Sequence, residues 1–184
     1  MLSQTRSPAQ AGEGGSGGDW SNESNVVSSN NSYATAQRAA NGVPTQSIRS
    51  WDYGFSIPPT AIIRGIVVST EIKADLDNGT HNPFVRSIKP SKVADTTGAE
   101  GGPGSDPDQI QDITTSDAVY SAPISDTAHL WSTTWTPAEI NSSSFGMFHH
   151  VAVSGGGASL VTFSCDHHSI TVYYDLPGDL GATF

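Results

Sequence analysis

The chain has 184 residues, with eight Lys and Arg against eighteen Asp and Glu, a formal net charge of −10, and only 14% charged positions. That length suits one domain around one core, the scarcity of basic residues excludes nucleic-acid binding through phosphates, and a lone cysteine, Cys165, excludes an internal disulfide. Abundant Gly, Ser, Thr and Asn, with few runs able to sustain a helix, point to an all-β protein with long loops. No apolar run approaches the roughly 20 residues that cross a bilayer, and the N-terminus lacks the apolar centre of a secretory signal. Neither membrane anchoring nor export by the general secretory route is expected.

Residues 1–19 are Gly, Ser, Ala and Gln without periodicity. This composition predicts a flexible arm that does not offset its own ordering entropy and orders only on a neighbouring subunit or partner. Residues 20–184 are expected to form the folded domain. "SYATAQRAA" reads as a strand or a short helix, with no periodicity to separate the two. In "QSIRSWDYGFSIP", Ile48, Ser50, Asp52 and Gly54 alternate with Arg49, Trp51, Tyr53 and Phe55, which predicts a strand with its aromatic side chains on one face. Pro58 and Pro59 end it, because proline donates nothing to a ladder.

"AIIRGIVVSTEIKAD" predicts a β-branched strand with Ile62, Arg64, Ile66, Val68, Thr70 and Ile72 on one face. "DLDNGTHN" is a turn by its Asn-Gly, and "FVRSIKPSKV" a further strand placed near a sheet edge by Pro90. Residues 94–117 carry six acids and no Lys or Arg, and read as a long acidic loop. Short strands are expected around 118–121 and 129–133. Thr136, Pro137 and Glu139 spell a capping residue, a first-turn proline and an acid three positions on, predicting a single helical turn. "FGMFHHVAV" and "SLVTFSCDHHSITVYYD" follow as strands. The glycines at 155–157 suggest a hairpin between them, and a turn is expected near Asp166 to His168. About eight strands at irregular spacing predict a single antiparallel β-sandwich of jelly-roll type.

Four of the six histidines fall at His149, His150, His167 and His168, the last pair beside Cys165 and Asp166. Zinc needs about four converging ligands, and neighbouring strands could bring His149 or His150 near Cys165 or His167. Adjacent strand residues point to opposite faces, so each pair offers one ligand to a given site, and no CxxC or HxxxH spacing supplies the rest. No metal ligand is therefore assigned. Cys165 alternates with Val161 and Phe163 as a buried small hydrophobe, and no nucleophile elbow occurs, so no catalytic residue and no cofactor are assigned, and the chain reads as a non-enzyme. The stretch from Asp75 fails as an EF-hand, its glycine standing fifth and Arg86 twelfth. Asp106, Asp108 and Asp112 offer a weaker cation set. Trp51, Tyr53, Trp131 and Trp135 are either a sugar-stacking platform or core.

The segments "SYATA", "YGFSIPPTAIIRGIVVSTEIKAD", "LWSTTWTPAEINSSSFGM" and "VTFSCDHHSITVYY", taken in order over about residues 33–174, resemble a β-sandwich domain of structural proteins from tailed bacteriophages and related prophage regions. The resemblance rests on Phe55, Ile57 and Pro58; on Ile63, Gly65 and Ile66; and on Trp135, Thr136, Pro137, Ile140, Asn141, Phe145 and Gly146. It implies a virion component without chemistry. The expected role is that of a capsid decoration or cement protein on the particle exterior, assembled in the host cytoplasm. Its partners would be the major capsid protein or other virion proteins and further copies of itself. A receptor- or carbohydrate-binding module of the tail or neck, directed at a host-surface glycan, is the alternative. The absence of repeats and of a trimerisation shaft argues against a self-contained fibre.

Overall fold

The computed structural model describes residues 1–15, 18–40, 42–95, 111–156 and 159–178. Eleven strands form two antiparallel sheets packed face to face. Eight of them make the sandwich proper: β4 (Ala34–Ala39), β5 (Ile48–Trp51), β6 (Ile62–Ala74), β7 (His81–Ser91), β8 (Gln111–Asp112), β9 (Ala118–Ala122), β10 (Gly146–Gly155) and β11 (Leu160–Asp175). One sheet runs β4-β11-β6-β9 and the other β5-β10-β7-β8, so that from β4 to β7, and again from β8 to β11, each strand crosses to the opposite sheet. This strand order is that of a jelly roll.

It also overturns one sequence expectation. The hairpin expected at the glycines 155–157, of which Gly157 lies outside the described residues, is not formed, because β10 and β11 belong to different sheets. Nor does the Asn-Gly turn after Asp77, with Gly79 at φ 75°, join neighbours in one sheet: it carries the chain from β6 across to β7. A turn signal specifies a reversal but not whether the returning strand pairs or packs.

The N-terminal segment differs from the flexible arm expected. β1 (Leu2–Arg6) pairs with the second half of β11, from Leu2 opposite Tyr174 to Arg6 opposite Ile170. β2 (Gln10–Glu13) pairs with β5 in the other sheet, and β3 (Trp20–Ser21) with β4. Little apolar surface is buried along β1; backbone pairing to two open edges orders it instead, and pairing leaves no trace in hydrophobic periodicity. The Met1 ammonium, 3.2 Å from the Asp175 carboxylate, fixes its start.

Side-chain alternation holds along the strands except where bulges reset it. On β6 Ile66, Val68, Thr70 and Ile72 share one face as expected, and with Ala74 that face is the core, but a register shift opposite Tyr173 and Tyr174 turns Ile63 inward and leaves Ile62 exposed. β5 is shorter than its pattern promised. It ends at Trp51, and Asp52 and Gly54, both at φ 60°, break the alternation. Tyr53, Phe55 and Ile57 then enter the core without Trp51, which stays half-buried against Arg49.

The Trp135-to-Phe145 segment matches its expectation. Thr136 caps a single turn, α1 (Pro137–Ile140), and Glu139 returns the bond to the Thr136 backbone. Asn141 then bridges the peptide of Ile57, accepting its N–H and donating to its carbonyl at 2.8 Å each. Trp135, Phe145, Phe55 and Tyr53 stack into one aromatic cluster below this turn. Gly65 lies so close to the 127–128 loop that a Cβ there would stand 2.0 Å from the Thr127 carbonyl oxygen. Pro90 lies on a stretch of β7 that pairs with β10 alone, since β8 reaches only Phe84 and Val85. β8 itself falls inside the expected acidic loop, of which residues 96–110 lie outside the described part.

Candidate functional site

The core of the sandwich is not uniformly apolar. His149, His168, Ser50 and Thr70 are fully buried with Cys165, and Tyr53 is 3% exposed. β10 supplies His149, whose inward neighbours are Met147 and Val151. β5 supplies Ser50, paired in register with Met147. β11 supplies Cys165 and His168, and β6 supplies Thr70, directly opposite His168. Both sheets therefore contribute to one polar cluster at their interface.

Cys165 and His168 are three residues apart, which in a regular strand sends them to opposite faces. They share the core face because the ladder with β6 skips Asp166: Cys165 pairs with Ile72 and His167 with Glu71. The extra residue is a β-bulge that flips the alternation. Val161, Phe163 and Cys165 point inward before it, and His168, Ile170, Val172 and Tyr174 after it. The turn expected near Asp166 to His168 is this bulge within a continuous strand. Each histidine pair thus sends one member to the core, His149 and His168. The outward members do local work, His150 Nδ1 meeting the Thr45 carbonyl and His167 Nε2 the Ser7 hydroxyl, both at 2.9 Å.

Inside, a chain of hydrogen bonds runs Tyr53 hydroxyl to Ser50 Oγ (2.6 Å), Ser50 Oγ to His168 Nδ1 (2.8 Å) and His168 Nε2 to His149 Nδ1 (3.0 Å). Its direction follows from counting protons. With Tyr53 as first donor, Ser50 donates to His168 Nδ1, His168 Nε2–H donates to His149 Nδ1, and only the Nε2–H of His149 lacks an acceptor. Reversed, the chain strands both the Tyr53 hydroxyl proton and the His149 Nε2 lone pair. The first arrangement leaves fewer groups unmet and is the one the geometry favours. In either, His149 Nε2 has no hydrogen-bond partner among the described residues, a cost of about 1–3 kcal/mol for a buried polar group. The Trp20 ring packs edge-to-face on this imidazole at 5.7 Å.

Burial sets the protonation states. Desolvation holds His149 well below the ordinary histidine range, helped by the neighbouring His168 and His150, and pushes His168 down to about 3. The same burial raises the Tyr53 hydroxyl and pushes the Cys165 thiol up to about 12, although Thr70 Oγ1, 3.2 Å from Sγ, lowers it in part. All four groups are neutral at pH 7. A thiol so held, without solvent access, is not a nucleophile. One ligand atom each from His149, Cys165 and His168 lie within 4.8 Å of one another.

The remaining candidates do not converge. Asp75 accepts the Thr162 N–H at 2.8 Å, a bond that ties the end of β6 to β11. Asp112 lies in β8 opposite Phe84, and Asp106 and Asp108 fall outside the described residues. Of the four aromatic residues of the suggested platform, Tyr53, Trp131 and Trp135 are core, the last two donating their indole N–H to the carbonyls of Ile66 and Leu130. On the outer face a shallow depression lies beside Asp19 and Arg38, which are ion-paired to each other. Comparison with protein-family models finds no match for the chain, and comparison with curated proteins finds none either.

Proposed function

We propose that the chain is a non-enzymatic structural subunit of a tailed-phage virion, a decoration or cement protein that sits on the particle exterior and acts as a homo-oligomer. The observation that carries this reading is the jelly-roll strand order, an architecture used by viral capsid domains, joined to the sequence resemblance over residues 33–174. Fold alone does not name a function. Two features of the chain point the same way. The chemistry-bearing side chains are sealed between the sheets, which suits a scaffold and not a turnover site. Among the described residues the N-terminal strands β1 and β2 each pair on one side only, with β11 and β5, and so offer edges on which a shell protein or a second copy can add strands.

Such a subunit stabilises a shell by mass action, because interface formed only in the assembled state lowers its free energy. The net acidity of the chain complements a basic rim on the shell. The alternative, a glycan-binding module of the tail or neck, loses its stacking platform with the burial of Tyr53, Trp131 and Trp135. Co-sedimentation with undecorated shells tests the reading. Full-length protein is expected to pellet with shells, and a variant lacking residues 1–13 to remain in the supernatant. If full-length protein stays in solution while binding a panel glycan, the tail or neck role replaces this one.

A further inference from the structure

We propose that His149, Cys165 and His168 form a binding site for a single soft monovalent metal ion, Cu(I), that pins the two sheets together from within the core. The inference goes beyond the virion role and stands independently of it. Its basis is convergence: two imidazoles and a thiol, drawn from both sheets, bring one ligand atom each to within 4.8 Å of one another inside the core, beside Ser50, Thr70 and Tyr53. The bulge at Asp166 is what puts Cys165 and His168 on the same face. Without it one of them would point to solvent.

Ligand chemistry selects the ion. Thiolate and imidazole donors suit soft or borderline metals and not calcium or magnesium. Zinc prefers four ligands, and among the described residues no fourth His, Cys, Asp or Glu joins these three. Charge decides further. One thiolate with a divalent ion leaves a net positive charge in a core of zero exposure, whereas one thiolate with Cu(I) leaves none. The two imidazole nitrogens of the hydrogen-bonded pair stand 3.0 Å apart, and ligation of both opens them to roughly 3.3 Å with metal–nitrogen bonds of about 2.0 Å. The sulfur must move in by up to about an ångström from the 4.8 Å limit.

The surroundings adjust to the bound state. Binding takes up Cu(I) and releases the Cys165 thiol proton to solvent, so the site as a whole stays neutral. His168 moves its remaining proton to Nδ1 and donates to Ser50 Oγ, which leaves one hydroxyl proton of the Ser50–Tyr53 pair without an acceptor in this chain of bonds. An imidazole oriented by a hydrogen bond from its other nitrogen is the usual outer shell of a metal site. The Thr70 hydroxyl, already 3.2 Å from Sγ, donates to the thiolate.

The test is an anaerobic Cu(I) titration of the reduced full-length protein against a chromogenic Cu(I) chelator, run on folded protein and on protein refolded with Cu(I) present. Wild type is expected to retain one copper per chain by at least one route and to melt at a higher temperature when loaded. Cys165→Ala and His168→Gln should each lose retention by at least tenfold, while the surface control His150→Ala/His167→Ala keeps it. Circular dichroism of the copper-free variants checks that they fold, and Cys165→Ser gives a second, near-isosteric thiol deletion. No retention by wild type through either route overturns the proposal. So does equal retention by the thiol-deletion variants, loss in the surface control, or zinc displacing copper at equal concentration.

Discussion

His149 and His168 are the residues on which the core is most exposed to solution conditions. Both are held neutral by burial, with pKa values depressed in the fold. The unfolded chain binds protons at these sites below about pH 6.5 and the folded chain does not, so their contribution is complete above that pH and is lost as pH falls. Each depressed site removes about 1.4 kcal/mol per pH unit in this window. Two together predict a drop of roughly 4 kcal/mol between pH 7 and pH 5, measurable by urea unfolding at each pH. His149→Phe combined with His168→Leu should flatten the slope. The Ser50 bridge predicts an order of costs: Tyr53→Phe removes only the first donor, whereas Ser50→Ala strands the Tyr53 hydroxyl and His168 Nδ1 at about 1–3 kcal/mol each. Equal destabilisation of the two variants would show that the chain of hydrogen bonds does not act as described.

Cys165, His149 and His168 also show how much of the site was legible in the sequence. Alternation with Val161 and Phe163 places Cys165 in the core, and the rule that neighbouring strand residues face opposite ways predicts one inward histidine per pair. Which one of 167 and 168 turns inward depends on the bulge at Asp166, a defect of register that side-chain periodicity alone does not announce. The same limit explains Ile62 and Ile63, exchanged by the second shift on β6, and Trp51, separated from Tyr53 by a left-handed Asp52.

Elements were read best where local chemistry alone decides them. The α1 turn needs only Thr136, Pro137 and Glu139, and its capping box is present as spelled. Thr136→Ala is expected to cost about 1 kcal/mol through that cap, seen as a lower denaturation midpoint at unchanged slope. Gly65 is a point of close approach, against the backbone of Thr127. Gly65→Ala forces the 127–128 loop off β6 and should cost about 1–3 kcal/mol, while Gly79→Ala, with open space around it, is strained only by its backbone angle. The connections were read worst. Turn residues at 77–79 and 155–156 mark reversals, but the sandwich sends the returning strand to the other sheet. That outcome is set by which faces must be buried, a property of the whole assembly of strands.

At the scale of the molecule, composition and strand count suffice for an all-β sandwich, and the strand order adds the jelly roll. The N-terminal segment escapes composition because its order comes from ladder bonds to β11 and β5. Removing residues 1–13 takes away β1 and β2 but no large core side chain. The truncated protein is therefore expected to keep its sandwich, with near-wild-type circular dichroism, and to lose its assembly contacts. The measurement that tests the central claim most directly is the disruption temperature of undecorated phage shells, recorded by light scattering with and without a stoichiometric excess of the full-length protein. The account predicts that shells survive to a higher temperature with the full-length protein and gain nothing from the truncated one. Identical disruption temperatures in all three samples would contradict a cementing role.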